Sequence, residues 1–161
     1  IAYVSRLDNN KIDGILHAAD IIGQVQGAKL HIIGNGPLES YLRQMLPCVK
    51  LHGYIEDIAD YLHKSNGMYS AVGGMGRAIV EGMAMKMPAL VISYDGVKGY
   101  VTPVNFYDFA KANFSGRGMP SVDALGHVNN ADVETLYKMV CNEYDIKKIT
   151  DDYLNFLTGR R

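Results

Sequence analysis

Gly73-Gly74-Met75-Gly76 packs three glycines into four residues, with Arg77 directly after them. A strand-like run, 67–72, leads in, and a Met- and Ala-rich helical pattern, 77–85, leads out. Backbone N–H groups at a helix N-terminus, cleared of side-chain bulk by glycine, suit phosphate or sugar oxygens. A tight strand-to-helix turn without a ligand uses the same residues, and the local pattern leaves both open. Glu81 follows one turn later among Val80, Gly82, Met83 and Ala84. A carboxylate in such company must face solvent, a partner or a ligand. It can grip the vicinal hydroxyls of a ribose, or pair with Arg77 along the helix.

Two other loops carry groups able to do chemistry. Gly34-Asn35-Gly36-Pro37 is a second strand-to-helix turn. Glu39 stands where a dinucleotide fingerprint needs its third glycine, so the signal is weak and a structural turn is the favoured reading. Arg6 and Lys11 flank the loop after the first strand. Two cations beyond a strand end can hold a diphosphate and stabilise it as a leaving group; solvated loop cations are the plain alternative. No G-x-x-x-x-G-K-[ST] occurs, which excludes a P-loop kinase or ATPase. No G-x-S-x-G elbow occurs either. His17, His31, His52, His63 and His127 show no metal-ligand spacing, so no metal is expected.

The elements that must hold these loops alternate along the chain. Strand-like runs are read at 2–5, 29–33, 49–54, 67–72 and 88–93. Helical spacing is read at 11–25, from Pro37 through Leu38, Tyr41, Leu42, Met45 and Leu46, at 55–63 and at 77–85. Such alternation predicts an α/β fold: a Rossmann-like parallel sheet with helices on both faces. Ligands then bind beyond the carboxyl ends of the strands, at loops 5–11, 34–37, 53–56, 73–77 and 94–99. Asp95-Gly96 reads as a turn. The pattern weakens after Gly99, where 113–118 reads as a polar, glycine-bearing loop. Two closing helices are expected at 132–142 and 146–157, capped near Asp132 and near Thr150 or Asp151.

Composition bounds the rest. The chain has 161 residues, 48% hydrophobic and 20% charged, which fits one globular domain with a real core. Its net charge of −1 provides no basic field for nucleic acid. No apolar run approaches a membrane span. Cys48 and Cys141 form no pair and fit a reduced, cytoplasmic protein with buried thiols. The opening Ile1-Ala2-Tyr3-Val4 reads as a strand already under way, so polypeptide is expected before Ile1.

Taken in order, Ser5-Arg6-Leu7 with Lys11, Leu30-His31-Ile32-Ile33-Gly34-Asn35-Gly36-Pro37, Val49-Lys50-Leu51-His52-Gly53-Tyr54, Gly74-Met75-Gly76-Arg77-Ala78-Ile79-Val80-Glu81-Gly82-Met83-Ala84 and Met87-Pro88-Ala89-Leu90-Val91 carry a resemblance. Over about residues 1 to 96 the chain resembles the C-terminal, donor-binding domain of retaining glycosyltransferases of the GT-B fold. More narrowly, it is similar to the large group that includes sucrose synthase and many bacterial capsule and cell-envelope glycosyltransferases. The resemblance implies one nucleotide-sugar-binding domain over 1–161, with closing helices from about 131, and a separate N-terminal acceptor domain. It implies a nucleotide-sugar donor, with UDP favoured, and no further cofactor. Arg6 and Lys11 would hold the diphosphate and serve catalysis. Glu81 would bind the ribose hydroxyls as the second Glu of an E-x7-E motif. Gly73, Gly74, Met75, Gly76 and Arg77 would approach the phosphates or the sugar. Gly34, Asn35, Gly36, Pro37, His52, Gly53 and Tyr54 would frame the base.

The expected activity is sugar transfer to an acceptor of polysaccharide or glycolipid type, in the cytoplasm or at the inner face of the membrane. The isolated chain is expected to be inactive. One departure stands out. The first Glu of the motif falls on Gly73, and no acidic residue occurs between Asp60 and Glu81. Backbone N–H groups with Arg77, or Asp95 and Lys98 in the next loop, would have to replace it. Otherwise the protein is a non-catalytic relative that binds nucleotide or stabilises a partner.

Overall fold

Short apolar runs form strands here because the central ones, 2–4, 72–74 and 89–93, are buried on both faces, the condition of a parallel sheet covered by helices. A computed structural model describes residues 1–65, 67–150 and 155. Its strands are β1 (Ala2–Val4), β2 (His31–Ile33), β3 (Lys50–Leu51), β4 (Val72–Gly74), β5 (Ala89–Ser93) and β6 (Gly96–Tyr100). They form one sheet in the order β3-β2-β1-β4-β5-β6. All neighbours pair in parallel except β5 and β6, which form an antiparallel hairpin.

Alternation along the strands sends side chains to two faces. Tyr3, Ile32, Leu90 and Ile92 face one way and pack on Ile15, Ala18, Ile21 and Ile22 of α1 (Ile12–Gly23) and Leu42 of α2 (Glu39–Met45). Ala2, Ile33 and Val72 face the other way, onto Leu62 of α3 (Ile58–Lys64). On that second side Ala89 and Val91 pack on Ile79 and Met83 of α4 (Arg77–Ala84). Phe106 and Phe109 of α5 (Phe106–Lys111) and Leu136 and Val140 of α6 (Asn130–Glu143) complete that cluster. The result is the doubly wound α/β architecture that the alternation predicts.

Several boundaries differ from the sequence reading. The glycines Gly73 and Gly74 are strand residues, paired with Tyr3 and Val4 of β1, and not the turn that follows. Pro37 lies in a turn ahead of α2, because Leu38 donates its N–H to Leu7 O and Glu39 to Gly36 O. The segment 55–57 stays a loop, and α3 starts only at Ile58, with the Asp57 carboxylate accepting from Asp60 N at 2.9 Å. Asn129, rather than Asp132, caps α6 by accepting from Asp132 N. Thr150 sits inside a helical turn and donates to Ile146 O, while Asp145 caps Lys147 N and Lys148 N. Asp151 and the rest of the expected last helix, apart from Asn155, lie outside the described residues. Both cysteines are free and exposed, not buried, since Cys48 follows α2 in a loop and Cys141 stands on the outer side of α6. Among the described residues no helix is long and apolar enough to cross a membrane.

Main-chain hydrogen bonds fix the loop after β1. Ser5 N donates to Ile33 O and Leu7 N to Asn35 O, while Gly34 N donates to Gly53 O at 2.7 Å. A Cβ on Gly34 would stand 1.9 Å from Ser5 O, and its φ of +140° already disfavours a side chain. Gly34→Ala should therefore lose more than about 2 kcal/mol in urea unfolding. Gly23→Ala, at an open helix end with nothing within 4 Å, should be neutral or stabilising by about 0.5–1 kcal/mol. Equal effects of the two changes would contradict this packing.

Candidate functional site

The sheet order reverses between β1 and β4. The chain leaves β1 for α1 on one face and leaves β4 for α4 on the other, so the two exits diverge and open a crevice. A cavity of about 280 Å3 occupies it, lined among others by Arg6, Asn35, Tyr54, Glu56 and Arg77. A second, of about 480 Å3, lies between the start of α3 and α4, lined by Glu56, Asp57, Arg77 and Glu81 among others. Glu56, Ile58 and Arg77 belong to both, which makes them one cleft. Its size suits a small polar ligand.

Arg6 enters the cleft because the main-chain contacts of Ser5 and Leu7 leave its side chain free to project. Its guanidinium donates to Asp8 Oδ2 at 2.9 Å and is 82% exposed. Lys11 turns back instead. Its Nζ donates to Ser5 Oγ at 2.7 Å and to Arg6 O at 3.1 Å. Burial holds its ammonium below the ordinary lysine range. Lys11 thus props the loop that carries Arg6 and lies behind the cleft wall.

Arg77 and Glu81 pair along α4, Nε to Oε1 at 3.0 Å, with Arg77 88% exposed. An exposed pair of this spacing is worth only about 0.3–0.5 kcal/mol. Charge-assisted bonds to a bound diphosphate or diol are stronger, so a ligand can displace it. Both uses foreseen for Glu81 are thus compatible.

The glycine cluster behaves differently. A Cβ on Gly73 would stand 2.9 Å from Ile92 Cδ1 and near Ile1 and Tyr3, so this position faces the core beneath α1. Gly74 abuts Val4 O, and Gly76 N donates to Phe114 O at 3.3 Å. Phe114 is buried, and it and Asn113 both hold positive φ, 50° and 51°. Gly73, Gly74, Met75 and Gly76 do not line the cleft; they set where α4 begins and so where Arg77 stands.

Of the residues expected to frame the base, Gly34, Asn35 and Tyr54 line the cleft. Gly36 and Pro37 do not; Gly36 lies against the Leu7 main chain. Gly53 serves through its carbonyl, which accepts from Gly34. His52 points elsewhere. Its Nε2 meets His31 Nδ1 at 3.0 Å and its Nδ1 meets the Tyr61 hydroxyl at 3.0 Å, and Tyr61 in turn meets Tyr69. Burial, then neighbouring positive charge, lowers both imidazoles below the ordinary histidine range. Asp95 and Lys98 bind each other at 2.8 Å, with Lys98 buried and also donating to Ser121 Oγ. Hydrogen bonding to Lys98 holds the Asp95 carboxyl below the ordinary range. Among the described residues no group of His, Cys, Asp and Glu could hold a metal ion. Glu56 and Asp57 are charged cleft residues that the sequence motifs do not single out. The position of Glu56 in loop 53–56, just past a strand end, was the available signal.

The family model of the group 1 glycosyl transferases matches residues 1–115. The chain belongs to this family. Among solved structures it is similar to the crystal structure of TarM, with a TM-score of 0.58 and 19% identity. That match covers 96% of this chain and 34% of TarM, so the chain spans about a third of the longer protein. The pneumococcal O-GlcNAc transferase GtfA, solved with UDP and GlcNAc, is similar at a TM-score of 0.46 and 19% identity, over 89% of this chain and 28% of its own. A search of curated protein sequences finds no match. The fold is that of the C-terminal domain of a GT-B glycosyl transferase.

The core-facing Gly73 has a direct consequence. Gly73→Glu, which restores the E-x7-E pattern on paper, places a carboxylate between Ile92, Ile1 and Tyr3. Burying an unpaired charge there should cost at least about 3 kcal/mol. Urea unfolding should show that loss, and a variant as stable as the parent would contradict the core-facing position.

Proposed function

We propose that this chain is the donor-binding half of a retaining glycosyl transferase and that its cleft takes the nucleoside diphosphate of a nucleotide-sugar. The observation that carries the reading is the convergence of Arg6, Arg77 and Glu81 on one cleft at the switch point of the sheet. Family membership supports sugar transfer as the reaction class. Arg6 neutralises the diphosphate as the sugar–phosphate bond breaks, which lowers the barrier by stabilising charge that develops on the leaving group. Lys11 supports this at one remove, by holding the Ser5 hydroxyl and the Arg6 carbonyl. Glu81 accepts hydrogen bonds from the ribose hydroxyls, and Arg77, released from Glu81, turns to the phosphate side. A phosphate oxygen of the departing diphosphate takes the acceptor proton. The acceptor, of polysaccharide or glycolipid type, docks on a second domain, and transfer takes place in the cytoplasm or at the inner membrane face.

The alternative of a non-catalytic partner module draws on Gly73. Position 73 faces the core in this fold, which supports the transferase reading over that alternative.

Calorimetric titration with nucleoside diphosphates tests the proposal. Arg6→Ala and Glu81→Ala should each weaken binding about ten- to hundredfold, the loss of one charged contact. Variants that bind as tightly as the parent would overturn the assignment.

A further inference from the structure

Four carboxylates border the cleft or its cations, and three are already engaged. Asp8 holds Arg6, Glu81 holds Arg77, and Asp57 caps α3 through Asp60 N. Glu56 is the fourth. Among the described residues it makes no hydrogen bond or ion pair, it is exposed, and it lines both parts of the cleft. Its neighbours divide that cleft by chemistry. Arg6 and Arg77 provide positive charge toward β1 and α4. Tyr54, 69% exposed, stands with Ile55 and Ile58 at the β3–α3 end. An exposed aromatic ring beside aliphatic side chains offers a flat heterocycle a face to stack on. The phosphates therefore belong at the arginine end and the base at the Tyr54 end, and Glu56, two residues on from Tyr54, borders both.

We infer that Glu56 reads the edge of the base and selects guanine over uracil. This inference rests on the nucleotide-sugar reading above. An ionised carboxylate only accepts hydrogen bonds. Guanine presents a ring N–H and an exocyclic NH2 side by side, and two carboxylate oxygens accept from both. Uracil presents one N–H between two carbonyl oxygens, whose lone pairs repel a carboxylate on either side. Adenine offers an NH2 beside a ring acceptor and falls between. A bidentate contact of this kind discriminates by about ten- to hundredfold. The choice departs from the uridine that the family resemblance favours, and it assigns a role to a residue outside the shared motifs.

The test is titration of the parent chain, Glu56→Gln and Glu56→Ala with GDP, ADP and UDP, beside Arg6→Ala. The parent should bind GDP at least about tenfold more tightly than UDP. Glu56→Ala should erase that preference, by weakening GDP and by relieving the repulsion of UDP. Glu56→Gln, whose amide donates as well as accepts, should narrow it from both sides by also strengthening UDP. Arg6→Ala should weaken all three nucleotides alike and keep their order. Equal affinity of the parent for GDP and UDP, or a preference unchanged in both Glu56 variants, overturns the inference and leaves the nucleotide reading intact. No binding of any nucleotide by the folded parent overturns both.

Discussion

The main chain of residues 5–7 lies directly on that of residues 34–36, with no room for a side chain between them. Gly34 and Gly36 would each place a Cβ within 2.6 Å of a carbonyl oxygen, on Ser5 and Leu7 respectively. Main-chain hydrogen bonds stitch the two segments, and the Gly34–Gly53 bond ties in the end of β3. The arrangement satisfies backbone polar groups that three strand ends would otherwise leave open. It also fixes one wall of the cleft. Arg6, Asn35 and Tyr54 reach the same cavity because their three loops are held together by backbone, which has no rotamers to lose.

The opposite wall is built by close approach as well. Gly82 lets α4 settle on Val72, where a Cβ would stand 2.9 Å from the valine Cβ. That contact, with Ile79 and Met83 in the core, sets the helix whose exposed side carries Arg77 and Glu81. The two arginines of the cleft are held by weak, solvent-exposed ion pairs, while the scaffold below them is apolar and tightly packed. A rigid frame with exchangeable charge partners is suited to binding an anion repeatedly. The pairs keep the arginines occupied without costing much to break.

Much of this was legible in the sequence because it depends on local periodicity. Helical spacing of Ile12, Ile15, Leu16, Ala19 and Ile22 marks α1, and the short apolar runs mark β2 and β5. Arg6, Glu81 and Tyr54 were legible because a doubly wound sheet exposes its strand-end loops on one side. What failed depends on tertiary context. Gly96-Val97-Lys98-Gly99 falls in the loop read at 94–99, with two glycines and a lysine, yet it belongs to β6. It is buried because α1 packs on it, with Val97 N donating to His17 Nδ1, and because Lys98 finds Asp95. His52 and Tyr54 are two residues apart, which in a regular strand puts them on one face. Gly53 has a φ of +75°, so the chain turns between them and only Tyr54 enters the cleft. Gly73 reads as part of a ligand loop because glycine serves turns and packed strands equally well. Only the position of Ile92 decides between them.

The most direct test of the account is a map of amide chemical-shift changes in the 15N-labelled chain during titration with GDP and with UDP. Changes should concentrate at Ser5–Leu7, Gly34–Asn35, Tyr54–Ile58 and Arg77–Glu81, the segments that meet at the switch point. Changes centred on the opposite end of the sheet, around Lys29, His31 and Met68, or no changes with either nucleotide, would contradict it.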